Sequence, residues 1–96
     1  MTMNALDALG SPVRRSMLLK LKKSPLSVGD IAAHFPVSRP AISRHLRVLE
    51  DAGLVEKQGG ARGLYAVRVQ GLAPVRDFVD EFWDAALARL AELGRK

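Results

Sequence analysis

Between Ser38 and Arg47 the chain places Arg39, Pro40, Ser43, Arg44 and Arg47 at spacings that share one side of a helix. On a wheel of about 100° per residue, Ile42, Leu46 and Leu49 gather within about 60° on the other side, flanked by Ala41 and Val48. No acid occurs in this stretch before Glu50 and Asp51. A guanidinium offers forked donors that match guanine O6 and N7 or phosphate oxygens, and a serine hydroxyl serves a base edge or a phosphate. The chemistry on offer is recognition of a polyanion, with the grooves of duplex DNA as the natural target. A recognition helix points its N-terminal half into the major groove, so acids belong at the far end. His45 borders the apolar side and has two open roles: a core-edge group bonded to backbone, or a donor to phosphate.

A second basic feature lies in Gly59-Gly60-Ala61-Arg62-Gly63. Glycines there let the backbone turn tightly and approach a duplex, and an arginine so placed suits a narrow minor groove or a phosphate. Lys57 and Arg68 are either backbone contacts or ordinary surface charge. Other chemistries find little material. The chain has no cysteine and only two histidines, His34 and His45. Disulfides are excluded, and no thiolate–imidazole metal site is expected. No nucleophile–base pattern appears, and the glycines at 59, 60 and 63 precede no helix, so neither an enzyme nor a cofactor is expected.

The elements that must position these residues follow from caps and periodicity. Met3 to Leu9 reads as a short helix stopped by Gly10. Ser11-Pro12 is a cap followed by proline at the first helical position, and the helix it opens runs to Leu21, ending near Lys22-Lys23. Ser27 opens a third helix, with Asp30 as its capping partner and Val28, Ile31, Ala32 and Phe35 as its apolar set, ended by Pro36. Ser38 caps the cationic helix and Gly53 closes it. The period then falls to two over Leu54–Gln58 and Leu64–Val69, giving a hairpin. A last helix spans about Leu72 to Leu93. The expected fold is mainly α with a β-hairpin: about five helices and two strands in a winged helix-turn-helix.

Ninety-six residues are expected to form one domain, residues 1–96. So short a chain buries a limited share of its surface, and without disulfides a second copy is the available remedy. The last helix supports that expectation. Its apolar residues, including Phe78, Phe82, Trp83, Leu87 and Leu90, sweep about 180°, wider than one core requires. With Leu6 and Leu9 of the first helix they are expected to form a homodimer interface. Arg89 intrudes on this apolar side without a local reason. Charge is also divided: residues 1–70 carry eleven Lys/Arg against five Asp/Glu, and residues 71–96 four against five. The basic excess belongs to the part that carries the cationic helix. No apolar run reaches the ~18 residues of a membrane span, and Met1–Gly10 lacks the pattern of a signal peptide. A cytoplasmic protein with no membrane partner is expected.

The segments Leu6–Arg15, Leu26–Ala32, Ser38–Leu49 and Ala52–Val55 together resemble the ArsR/SmtB-type repressors, over roughly residues 5 to 90. The resemblance implies a two-fold dimer that occupies operators, with Ser38–His45 contacting bases and the hairpin as wing. It also draws attention to departures. Metal-sensing members carry cysteines on the helix matching Ser27–Phe35, or Asp and His on the last helix. Here the first has no soft ligand, and the last has Asp77, Asp80, Glu81 and Asp84 without a histidine. The expectation is a metal-independent repressor of double-stranded DNA operators, binding a near-palindromic site through Ser38, Arg39, Pro40, Ser43, Arg44, His45, Arg47 and Arg62. A small-molecule or protein effector is left open. Two rival readings are a winged-helix protein-interaction module and a nonspecific nucleoid-type DNA binder. An apolar outer face on the cationic helix would favour the first, and steep salt dependence without sequence preference the second.

Overall fold

Four serine or asparagine caps set the helical framework of the computed structural model, which describes residues 3–60 and 63–95. Asn4 Oδ1 accepts from Asp7 N at 2.9 Å and opens α1, Ala5–Ala8. Ser11 Oγ accepts from Arg14 N at 3.3 Å and opens α2, Pro12–Leu21. Ser27 Oγ accepts from Asp30 N at 3.1 Å at the start of α3, Val28–Ala32. Ser38 Oγ accepts from Ala41 N at 3.2 Å at the start of α4, Arg39–Asp51. Each side chain satisfies an N–H that the first turn of a helix leaves without a partner.

Gly53, at φ 78°, turns the chain out of α4. Strands β1, Val55–Gln58, and β2, Leu64–Val67, then pair antiparallel, with Val55 opposite Val67 and Lys57 opposite Tyr65. Leu26, in the loop before α3, adds a short bridge to the outer side of β2: its N donates to Tyr65 O at 3.0 Å and its O accepts from Tyr65 N at 2.8 Å. A 3-10 turn over Val69–Leu72 leads into α5, Ala73–Leu93.

Three elements are shorter than their patterns suggest. The first helix is confined to Ala5–Ala8. Helix α3 stops at Ala32, because His34 N and Phe35 N donate to Ile31 O and Ala32 O and tighten the chain into turns ahead of Pro36. Strand β2 stops at Val67, because Gly71 N donates back to Arg68 O and closes the 3-10 turn.

The core gathers Met17 and Leu21 of α2, Ile31 of α3, Ile42, Leu46 and Leu49 of α4, and Leu54 and Val55 at the hairpin base. Helix α5 lies outside it. No residue of α5 is buried, and Phe82 and Trp83 are 62% and 63% exposed. Phe78 and Phe82 touch edge to face on this helix, with ring centroids 5.1 Å apart.

The 3-10 turn seats α5 by close backbone contact. Gly71 is buried, and a Cβ there would collide with the Gly53 carbonyl, coming within 2.7 Å of its carbon. Gly71→Ala is expected to lower stability by about 1–3 kcal/mol through the forced backbone shift. Urea unfolding checks this, and an unchanged midpoint would show that the turn moves without cost.

Candidate nucleic-acid interface

Rotation of α4 is set by Ile42, Leu46 and Leu49, all fully buried. The remaining positions are thereby assigned. Ser38, Arg39, Pro40, Ser43, Arg44 and Arg47 are all exposed and lie together at the N-terminal end and outer side of α4. Among the described residues the one ion pair is Arg76–Asp77 on α5, so no carboxylate neutralises Arg39, Arg44 or Arg47. Ser38 Oγ accepts from Ala41 N, which leaves its hydroxyl hydrogen to donate outward. The Arg39 guanidinium lies back toward α3, where a Cβ on Gly29 would come within 3.7 Å of it. The outer face is polar and cationic throughout, which suits phosphate and base edges better than an apolar protein surface.

His45 stands apart from this group. It is half-buried on the flank of α4 that faces α2, where Arg14 Nη1 lies 3.3 Å from its Nδ1. Arg14 is itself held by a 2.7 Å bond from Nε to Ala8 O at the end of α1. Its neighbour Arg15 donates from Nη1 to Leu9 O, also at 2.7 Å. The sequence reading gave neither arginine a role. The available signal was electrostatic: two cations in the first turns of α2 oppose the positive end of that helix dipole, so a compensating acceptor elsewhere is required. The carbonyls closing α1 are that acceptor.

In the hairpin, Lys57 Nζ sits 5.9 Å from the centroid of the Tyr65 ring. Arg68 turns inward, donating from Nη1 to Gly53 O at 3.3 Å, and so ties the end of β2 to the end of α4. Arg62, assigned to the wing tip from the sequence, lies outside the described residues. Of the positions assigned to a dimer interface, Leu6, Phe78, Phe82, Trp83, Leu87 and Leu90 are exposed, while Leu9 is half-buried against the core. Among the described residues no group of three His, Cys, Asp or Glu side chains could hold a metal ion.

Burial first, then the charges of Arg14 and Arg44, hold the His45 pKa below its ordinary value of 6.5. The folded state therefore favours the neutral ring. Its stabilising contribution is complete above pH 6.5 and is lost as pH falls from there through the lower folded-state value. Thermal unfolding across this acid range should show a falling midpoint, and His45→Gln should flatten that fall. Parallel curves for the two proteins would assign the pH dependence to other groups.

Known proteins share this fold. The model of the family described as "Bacterial regulatory protein, arsR family" matches residues 11–57, from the cap of α2 into β1. The HTH-type transcriptional regulator Rv2034 of Mycobacterium tuberculosis is 43% identical over 90 residues, spanning 93% of this chain and 84% of that protein. A solved structure described as a possible transcriptional regulator for arsenical resistance matches with a TM-score of 0.78 at 42% identity, covering 94% of this chain and 95% of that one. The homodimeric winged helix-turn-helix DNA-binding domain of Mb0332 from Mycobacterium bovis matches with a TM-score of 0.63 at 27% identity, covering 80% and 72% of the two chains. The architecture expected from the sequence, five helices with a two-stranded hairpin in a winged helix-turn-helix, is the one these structures share. The chain belongs to the ArsR family of bacterial regulatory proteins, and it is a DNA-binding transcriptional regulator rather than an enzyme.

Proposed function

We propose that the protein is a metal-independent repressor, which blocks transcription by occupying a near-palindromic operator as a two-fold dimer. The observation that carries this reading is the unneutralised cationic face of α4, held outward by the buried Ile42–Leu46–Leu49 stripe on its other side. In this reading Ser38, Arg39, Pro40, Ser43, Arg44 and Arg47 enter the major groove, with His45 at its edge. Arg62, named from the sequence, grips the duplex from the wing.

The second copy is called for by α5. Phe82 and Trp83 each leave roughly 120 Å² uncovered, if a buried aromatic hides about 200 Å². Covering both in both copies contributes roughly 12 kcal/mol at about 25 cal/mol per Å². Association costs of about 4–15 kcal/mol are of the same size, so Phe78, Leu87 and Leu90, with Leu6 and Leu9, are needed to tip the balance. Residues 1–96 act as one domain in each copy. Two-fold pairing would set the recognition helices about 34 Å apart, one turn of DNA, and would make the operator near-palindromic.

Metal independence is supported by the absence of cysteine and of any histidine on α5. The cytoplasm is the compartment in which such a regulator meets its operator, and among the described residues no helix is long and apolar enough to cross a membrane. What releases the repressor, a small molecule or a protein, is a separate variable in this scheme.

Footprinting on the DNA upstream of the protein's own coding region is the primary test. A protected, near-palindromic site supports the proposal; protection without sequence preference would point to a nucleoid-type binder, and no binding would point to a protein-interaction module. Arg44→Ala should weaken operator binding by about 1–3 kcal/mol and relax sequence preference. Arg62→Ala should weaken all duplexes alike. For the dimer, Trp83→Ala combined with Leu87→Ala should halve the sedimenting mass, and an unchanged mass would remove α5 from the interface. Titration calorimetry with zinc, nickel and arsenite should show no tight stoichiometric binding; a stoichiometric site would overturn metal independence.

A further inference from the structure

Arg14 and His45 come from different helices, thirty-one positions apart in the chain, and meet at 3.3 Å between Nη1 and Nδ1. A guanidinium carries only donors and keeps its charge at any physiological pH. Nδ1 must therefore present its lone pair to Arg14, and the hydrogen of the neutral ring resides on Nε2. Arg14 has little freedom to turn away. Its Nε is bonded to Ala8 O at 2.7 Å, and its Nη2 lies 3.9 Å from Met3 Sδ. The other end of the imidazole is open: no described residue accepts from Nε2, and Nε2 is not among atoms both buried and unpartnered.

The tautomer decides what that open end can do. Phosphate oxygens only accept hydrogen bonds, so Nε2–H can donate to one, whereas a bare Nε2 lone pair would be repelled. We propose that Arg14 is a positioning residue for DNA binding, holding His45 in its Nε2–H form so that the ring donates to a backbone phosphate beside the α4 recognition helix. This inference rests on the reading that the outer face of α4 meets the duplex.

Electrostatics supports the neutral form. The charges facing His45 are Arg14 from α2 and Arg44 from α4, and together with burial they lower its pKa. Protonation would place an Nδ1–H against the guanidinium and remove the Arg14 bond. The phosphate contact is thus a neutral one, which displaces no counterion, unlike a phosphate contact made by Arg47. It is also indifferent to sequence. Arg14 joins the Ala8 carbonyl at the end of α1 to the flank of α4 in a single side chain, so the ring's position follows both helices.

Two measurements on the full chain test this. Nitrogen-detected NMR of the free wild-type protein at neutral pH should show His45 with the hydrogen on Nε2, and Arg14→Ala should give a mixture of tautomers. A hydrogen on Nδ1 in the wild type overturns the proposal without any variant. Binding to a random-sequence duplex is then measured at several salt concentrations for Arg14→Ala, His45→Ala, the double variant, His45→Gln and Arg47→Ala, each below its own melting temperature. His45→Ala and Arg14→Ala should each weaken binding by about five- to tenfold, the value of one hydrogen bond. The double variant should bind no more weakly than His45→Ala alone, and His45→Gln, which keeps an acceptor and a donor, should recover most of the loss. His45→Ala should leave the salt slope unchanged, whereas Arg47→Ala should reduce it by about one. Additive losses, or a His45→Ala variant that binds like wild type, overturn the proposal. If Arg47→Ala weakens binding and His45→Ala does not, the α4 face stands and only the Arg14–His45 inference falls. If neither variant weakens binding, the α4 face falls as well.

Discussion

The outward display of the cationic face of α4 depends on the rotational lock of that helix. Three side chains, Ile42, Leu46 and Leu49, are withdrawn completely from water. Each contributes about 1.5–3 kcal/mol by burial. Turning the helix by one residue would expose this stripe and carry an arginine toward the core. An unpaired cation inside would cost several kcal/mol more. The sum is comparable to the whole stability of a small domain, so no alternative rotation competes. An energetic preference located entirely in the core thereby determines what appears on the surface.

Much of this arrangement is local and could be read from the residues in order. Ser11, Ser27 and Ser38 each cap the helix they precede, and Gly53 supplies the positive φ that ends α4. Both features need only neighbours in sequence. The inner and outer sides of α4 follow from helical periodicity in the same way. Distant pairings left no such trace. Leu26 gives no sign that it will bridge to Tyr65, because a single residue cannot show the alternation that marks a strand. The ends of α3 and β2 were overestimated for a related reason: apolar pattern continues through Phe35 and Val69, while the hydrogen bonds that stop each element are made by the backbone. Within the site, Arg39, Ser43, Arg44 and Arg47 were legible because exposure follows from phase. The partner of His45 was not, since it depends on how α2 crosses α4.

The chain divides its labour unevenly along its length. Helices α1 to α4 and the hairpin share one packed core, to which the 3-10 turn adds Leu72 and α5 adds mainly Val75 near its start. Beyond those residues its apolar side chains are left to solvent. A helix of this kind gains most of its stability from what it packs against rather than from its own propensity. In the proposed dimer its order and the assembly of the protein are parts of one equilibrium, and apparent stability would rise with protein concentration. Arg89, on the apolar side, has no explanation in the contacts of the single chain.

The bridge between Leu26 and Tyr65 has a mechanical consequence. It clamps β2, one pair short of the loop end of the ladder, to the segment that launches α3, while the Arg68 bond to Gly53 fastens the root of the same hairpin to the end of α4. The hairpin and the helix beside it are thus linked like the two arms of a caliper. When a caliper closes on a flexible rod, the rod is what bends. A duplex gripped at both jaws would absorb the misfit in its own curvature and groove width, and stiff and pliant base steps would differ in affinity even where no side chain reaches them.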